Sequence, residues 1–203
     1  MQNAFSLARA SNKIIKGYNT IFTGGQVKQE IIVFRYGHRE VRDYRVTSHC
    51  ALVSRALGAK RIIICGEKDE SILNTIKGVN ERWGSKFKVV FVKSWETELK
   101  KIKKKGYCLV HLTMYGEAVQ EKEEAIMKHK KICVIIGSQK VEREVYHLSD
   151  YNIGVTQQPH SEIAALSIFL DRIQQGKELG NVFSGANRKI VPQKHGKKVI
   201  GLK

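Results

Sequence analysis

From Glu30 onward, short runs that are apolar throughout alternate with longer runs in which apolar positions recur every three or four residues. "EIIVF" precedes "VTSHCALVSRALGA", "RIIIC" precedes "DESILNTIKGVNERWG", and "FKVVFV" precedes "WETELKKIKKK". The second half keeps the rhythm with "YCLVHLTM", "AVQEKEEAIMKH", "KICVIIG", "VEREVYHLSD", "YNIGV" and "SEIAALSIFLDRIQQ". A strand that is apolar at every position is covered on both faces, whereas a half-exposed strand alternates. The pattern therefore predicts an α/β domain with a mostly parallel sheet and helices on both faces.

Two stretches fall outside that rhythm. Residues 1–28 are weakly apolar and rich in Ser, Asn and Gly, with basic positions at Arg9, Lys13, Lys16 and Lys28, and read as a loose N-terminal arm. The main domain is then expected over 29–180. Residues 181–203 form a basic extension, in which Arg188, Lys189, Lys194, Lys197, Lys198 and Lys203 accompany two strand-like pieces, "KIV" and "KVIGL". A basic hairpin or tail suited to phosphate contacts is the expectation. A solvated tail that touches nothing is the competing reading.

Charge sharpens this picture. Lys and Arg number 36 against 19 Asp and Glu, for a formal net charge of +17, so the surface field should attract polyanions, nucleic acid first. Cys50, Cys65, Cys108 and Cys133 lie in or beside apolar runs without C-x-x-C spacing, and read as reduced core residues of an intracellular protein. No apolar stretch reaches the roughly 18 residues a membrane span requires, and the N-terminus lacks the apolar core of a secretory signal. A soluble, cytoplasmic protein without a membrane partner is expected.

Candidate chemistry gathers at the ends of strands, where open α/β sheets bind ligands. "LTMYG" follows "YCLVH", where Leu112, Thr113 and Met114 leave a strand that Gly116 is expected to end. In "IIGSQKVEREVY", Gly137 directly follows a buried strand and the next amides open a helix. The third place is "VTQQPHSEIAALSIFLDRI". Ser161 can cap the helix and Glu162 suits its first turn, while Ile163, Leu166, Leu170 and Ile173 form an apolar face. Capping does not explain Gln157, Gln158, Pro159 and His160 in a row; their amides suit a flat heteroaromatic ring such as adenine. A fourth cluster, "RYGHREVRDYRVTSH", carries Arg35, His38, Arg39, Arg42, Arg45 and His49 and reads as a polyanion contact, although any single arginine could instead brace a helix start. Neither phosphate-loop, dinucleotide-binding nor serine-hydrolase signatures occur, and no metal-ligand spacing is present.

The runs "FRYGHREVRDYRVTSHCALVSRALGAKRIIICGE", "VHLTMYGE", "VIIGSQKVEREVYHLSDYNIGVTQQPHSEIAALSIFLDR" and "GKKV" resemble the archaeal tRNA (cytidine-2'-O)-methyltransferases that modify cytidine 56 in the T loop. These belong to the SPOUT superfamily. The resemblance covers about Ile31 to the C-terminus and leaves residues 1–28 outside. It implies a C-terminal deep trefoil knot, which is rare among chain paths, a homodimer, tRNA as substrate and S-adenosylmethionine as methyl donor. Cofactor contacts then fall on Leu112, on Gly137, Ser138, Gln139, Lys140 and Val141, and on Val155, Thr156, Gln157, Gln158, Pro159, His160, Ser161 and Glu162. Superfamily relatives use an arginine in their first motif, but the equivalent position here is Leu52. Arg45 is the substitute expected as the catalytic residue at the ribose 2'-hydroxyl, with Arg39 and Arg42, and Arg188, Lys189, Lys197 and Lys198 of the extension, on RNA phosphates. Two alternatives stay open: the same fold acting on another RNA position, and a basic tRNA-binding protein without catalysis.

Overall fold

The structure, a computed structural model, describes residues 29–137 and 141–202. The arm expected over 1–28, Lys203, and the candidate residues Ser138, Gln139 and Lys140 lie outside the described residues.

Six strands form one parallel sheet: β1 (Glu30–His38), β2 (Arg61–Gly66), β3 (Lys88–Val92), β4 (Cys108–Ala118), β5 (Lys131–Gly137) and β6 (Tyr151–Gly154). Their spatial order is β3-β2-β1-β5-β4-β6. The connecting helices are α1 (Glu40–Ala56), α2 (Glu70–Trp83), α3 (Trp95–Lys104), α4 (Val119–Met127) and α5 (Arg143–Leu148), and α6 (Glu162–Gln174) follows the last strand of the sheet. The alternation of side chains along each strand divides the core in two. Ile31, Val33, Ile62, Ile64, Val134 and Ile136 pack with α1, α2, α4 and α6. Ile32, Phe34, Ile63, Cys133 and Ile135 pack on the other face with Leu99 and Ile102 of α3 and Val145 of α5. Two-sided cover accounts for the uninterrupted apolar strands, and all four cysteines are free and buried within these layers.

Helix starts follow local chemistry. Asp69 accepts from the amides of Ser71 and Ile72 to open α2, and Ser161 accepts from the Ile163 amide at 3.2 Å to open α6. At α1 the Asp43 carboxylate reaches back to the Arg39 amide at 3.1 Å, satisfying a donor that has no partner inside the helix.

The expectation that Gly116 ends the fourth strand is corrected, since β4 continues to Ala118 with a register shift against β6 between Leu112 and Glu117. Gly116 makes that possible: a Cβ there would stand 2.5 Å from the Asn152 carbonyl oxygen, so the two backbones meet only without a side chain.

The extension forms an antiparallel pair, β7 (Arg188–Ile190) with β8 (Val199–Gly201). It is tied to the end of α2 by Asn187 N–H donating to the Arg82 carbonyl at 3.1 Å and by Ser85 N–H donating to Ser184 O at 3.1 Å. Since α2 returns from the C-terminal end of β2 to the start of β3, the hairpin sits where strands begin.

Candidate active site

The order of the sheet reverses between β1 and β5, and ligands of open α/β sheets bind beyond the C-terminal strand ends at such a reversal. There a cavity of about 820 Å³ opens, lined by His111, Leu112, Thr113, Met114 and Tyr115 of β4, Ile136 and Gly137 of β5, Val141, Arg143, Tyr146, Val46, and the approach and first turns of α6 through His160, Ser161, Glu162 and Ala165. A smaller cavity of about 440 Å³ lies on Met114, Tyr115, Gly116, Gln157 and Pro159. The two share Met114 and Tyr115.

Of the expected cofactor residues, Leu112, Gly137, Val141, His160, Ser161 and Glu162 line the main cavity, and Gln157 and Pro159 line the smaller one. Val155, Thr156 and Gln158 belong to the same loop but line neither. The Thr156 hydroxyl accepts from the Gln158 amide at 3.2 Å, which shapes the turn.

The polar groups beneath the cavity are fixed in place. His111, 1% exposed, has Nδ1 2.9 Å from Asn152 Oδ1. Asn152 in turn donates its Nδ2 hydrogen to the Tyr146 carbonyl at 2.9 Å, so Oδ1 is the acceptor and His111 Nδ1 carries the proton. Burial holds His111 below the ordinary imidazole pKa, partly opposed by that bond, so the ring is neutral near pH 7. Tyr146 stands edge-on to the imidazole at 4.7 Å and its hydroxyl lies 3.2 Å from Thr113 Oγ1. On β1, the Tyr36 hydroxyl donates to Glu142 at 2.8 Å, and burial and that carboxylate push its pKa up to about 12.

A buried charged network supports the α6 side. Arg35 is fully buried; it donates from Nε to Thr47 Oγ1 at 3.0 Å and from Nη1 to Glu162 Oε2 at 2.8 Å. Among the described residues its Nη2 has no hydrogen-bond partner. Thr47 Oγ1 also lies 2.9 Å from His38 Nδ1, and the Asp69 carboxylate on the far side of the ring favours the tautomer in which Nδ1 accepts from the Thr47 hydroxyl. In that tautomer the proton of neutral His38 sits on Nε2, 3.6 Å from Asp69 Oδ2. Burial lowers the His38 pKa despite Asp69, and burial raises that of Glu162 despite Arg35.

Arg35 and His38 therefore correct one expectation: they do not contact polyanions at the surface, being 0% and 2% exposed. The strand register explains it, since Arg35 follows Ile31 and Val33 onto the face covered by α1 and α6. Arg42 and Arg45 are exposed on α1, and Arg45 adjoins Val46 of the cavity wall. Arg39 is half-exposed, 3.2 Å from Asp43. Arg188, Lys189, Lys197 and Lys198 are exposed on the hairpin, at the end of the sheet away from the cavity. Among the described residues no group of three or more His, Cys, Asp or Glu is gathered to hold a metal, and no described helix is long and apolar enough to cross a membrane.

Sequence reasoning overlooked His111, Tyr146, Arg143 and the role of Arg35. A single histidine inside the apolar run "YCLVHLTM" and an arginine continuing "EIIVF" were the available signals, each a polar group placed where a core face was expected.

The chain resembles known proteins along most of its length. It is 48% identical over 169 residues to a tRNA (cytidine(56)-2'-O)-methyltransferase of Nitrosopumilus maritimus, covering 83% of this chain and 95% of that one. A protein of the same name from Methanocaldococcus jannaschii is 50% identical over 171 residues, covering 83% and 94%. Among solved structures, an RNA 2'-O ribose methyltransferase superposes with a TM-score of 0.57 at 14% identity, covering 79% of this chain and 61% of the other. The SpoU methyltransferase AviRb from Streptomyces viridochromogenes, in complex with AdoMet, superposes with a TM-score of 0.55 at 15% identity, covering 73% and 60%. This chain thus spans about three fifths of those two structures, and at such identities they establish its SPOUT-type fold alone. The profile of the family described as tRNA ribose 2'-O-methyltransferase, aTrm56, matches residues 83–200, and the chain belongs to that family.

Proposed function

We infer that this protein methylates the 2'-hydroxyl of cytidine 56 in the T loop of tRNA, with S-adenosylmethionine as donor. The observation that carries the reading is the cavity at the sheet reversal, walled by the first turn of α6 and the ends of β4 and β5, in a chain of this family. Its chemistry fits the donor: apolar walls from Val46, Leu112, Met114, Ile136, Val141 and Ala165 suit an adenine ring and a methionine chain. When bound, that donor supplies an electrophilic methyl group, and the residues of the protein do the rest by positioning and proton handling.

The loop 155–162 and Gly137 bring backbone groups to the donor, with Leu112 and Val141 as apolar walls; Ser138, Gln139 and Lys140 belong to the same contact set. Arg45, exposed beside Val46, holds the RNA so that the ribose hydroxyl faces the methyl group. Arginine stays protonated at any working pH, so its part is to bind phosphate and orient. Arg39 and Arg42 extend that contact. Arg188, Lys189, Lys197 and Lys198 bind phosphates from the hairpin of the 181–203 extension, which follows the 29–180 domain.

The assembly is a homodimer. A second copy supports this reading on two counts: Val41, Tyr44 and Ile168 are exposed apolar side chains on the adjoining helices α1 and α6, and the basic hairpin lies far from the cavity of its own chain. The deep trefoil knot rests on family membership and on a path that leaves edge strand β6 and returns over the sheet to α1. The protein works in the cytoplasm, where tRNA is found.

The test incubates the protein with methyl-labelled S-adenosylmethionine and an unmodified tRNA transcript, and maps the labelled nucleotide by nuclease digestion and mass spectrometry. 2'-O-methylcytidine at position 56 is the expected product. Label elsewhere, or label retained on a tRNA carrying 2'-deoxycytidine at that site, overturns the assignment; sedimentation of the protein alone checks the dimer.

A further inference from the structure

Transfer of a methyl group to a ribose hydroxyl releases a proton, and the cavity offers few groups to take it. Arg143 is a cation, and the hydroxyls of Thr113, Tyr115, Tyr146 and Ser161 are poor bases near neutrality. Two imidazoles line the cavity: His111 is nearly closed from solvent, its ring tied to Asn152 and Tyr146, while His160 is exposed to solvent on the loop before α6. Glu162 is the one carboxylate among the described residues that line the cavity. Arg35 takes its Oε2, the side chain keeps 23% of its surface open, and Oε1 has no hydrogen-bond partner among the described residues.

We propose that Glu162 Oε1 accepts the proton of the RNA ribose hydroxyl, and that Arg35 is a positioning residue that holds the carboxylate for this task. In the step, the ribose oxygen forms its bond to the methyl carbon as the carbon–sulfur bond breaks, and that electron pair goes to sulfur. The O–H proton passes to Glu162, so the positive sulfonium and the carboxylate are both neutral afterwards.

The setting suits a base. Burial raises the Glu162 pKa, with Asp43 adding to the rise, and Arg35 opposes both. A carboxylate with a raised pKa is a stronger base, and the ion pair with Arg35 at 2.8 Å favours its ionised form. Around it stand Arg35 from β1, Asp43 and Cys50 from α1, and His160, Arg143 and His111 around the cavity. A fully buried guanidinium whose Nη2 has no partner among the described residues is an arrangement that stability alone disfavours.

The inference rests on the methyltransferase reading, and the experiment separates the two. Single-turnover methyl transfer to an unmodified tRNA transcript is followed from pH 5 to 9 for the wild type and for Glu162→Gln, Glu162→Asp, Arg35→Lys and His160→Gln. S-adenosylmethionine and tRNA affinities are measured by calorimetry, and folding by circular dichroism. In the wild type the rate should rise with pH through the Glu162 titration and then level. Glu162→Gln should lose about 10²- to 10⁴-fold in rate and lose the acid limb, with donor affinity held within about threefold; Glu162→Asp should recover part of the rate. Arg35→Lys weakens the contact that lowers the Glu162 pKa, so its acid limb should move to higher pH, a readout that survives if Glu162→Gln folds poorly. The proposal is overturned if Glu162→Gln keeps the acid limb, if its rate and donor affinity fall in parallel, or if His160→Gln alone abolishes the limb. No transfer by the wild type overturns both readings.

Discussion

Two arginines lie buried at opposite ends of the molecule. Arg35, at the C-terminal end of β1, faces a carboxylate that remains open to the cavity, and one of its nitrogens has no partner among the described residues. Arg55, near the end of α1 and 7% exposed, meets only neutral groups among the described residues: Asn80 Oδ1 at 2.9 Å, the carbonyl of Gly84, and the ring of Phe183 at 4.9 Å. Its burial lowers its pKa without any carboxylate to oppose the shift. Arg55 is a clasp, joining α1, the α2–β3 turn and the chain leading to the hairpin. Gly84 belongs to the same clasp, with φ +74 and no room for a Cβ, which would stand 2.7 Å from Ser184 O. Arg35 instead keeps an ion pair half open beside a ligand cavity. A charge that only braces structure can be satisfied by dipoles; a charge that prepares another group for chemistry leaves that group accessible.

The contrast can be broken from the Arg35 side first. Arg35→Met strands the Glu162 carboxylate in a half-buried place and should lower stability by about 4 kcal/mol in urea unfolding. Adding Glu162→Met should restore most of that loss, because removal of both charges is far milder than removal of one, while methyl transfer stays absent. Recovery of activity in the double variant would refute the distinction. Arg55→Met is the smaller perturbation, about 2 kcal/mol for the lost charged hydrogen bonds. It should speed amide hydrogen exchange over residues 181–187 and leave the methyl-transfer rate of folded protein unchanged.

Titration sharpens the comparison with a smaller effect. His38, linked to Arg35 through Thr47, has a folded pKa below the ordinary 6.5 because of burial. The unfolded chain therefore takes up the proton first as pH falls, so its contribution is intact above about 6.5 and is lost between that value and the lower folded one. Urea midpoints should fall from pH 7 to pH 5, and fall less in His38→Gln. The least effect on folding is expected at the hairpin: replacing Arg188, Lys189, Lys197 and Lys198 by alanine should leave the unfolding midpoint in place, as befits exposed side chains. The same variant should flatten the dependence of log tRNA affinity on log salt by about 3 if all four meet phosphate.

The layers were legible in the chain because two-sided burial makes strands apolar at every position, and all six strands of the sheet fall on the runs that pattern picks out. Their order was not, since β5 inserts between β1 and β4 through pairings that no local pattern encodes. At the site, the polar cluster before α6 stood out because its composition exceeds what a helix cap requires. Arg35 was misread because a charge beside an apolar strand becomes internal only if a counterion arrives, and Glu162 lies 127 positions away. His111 depends likewise on Asn152, 41 positions on. The hairpin was legible as two basic strand pieces, but its attachment to α2 rests on backbone bonds around Gly84, Ser85 and Asn187, which leave no mark on residue type.

The place of β5 also governs how the chain can mature during synthesis. β1 is made early, yet one of its edges waits for β5, with Glu30 opposite Lys131. Until then the apolar strand Ile31–Phe34 has a free edge, and a growing chain must shield it from other chains. The cavity comes later still, because Glu162 cannot reach Arg35 until β6 and the start of α6 have left the ribosome. An enzyme assembled so late from distant parts is expected to fold slowly, and any product truncated before α6 would expose apolar surface while holding no working site.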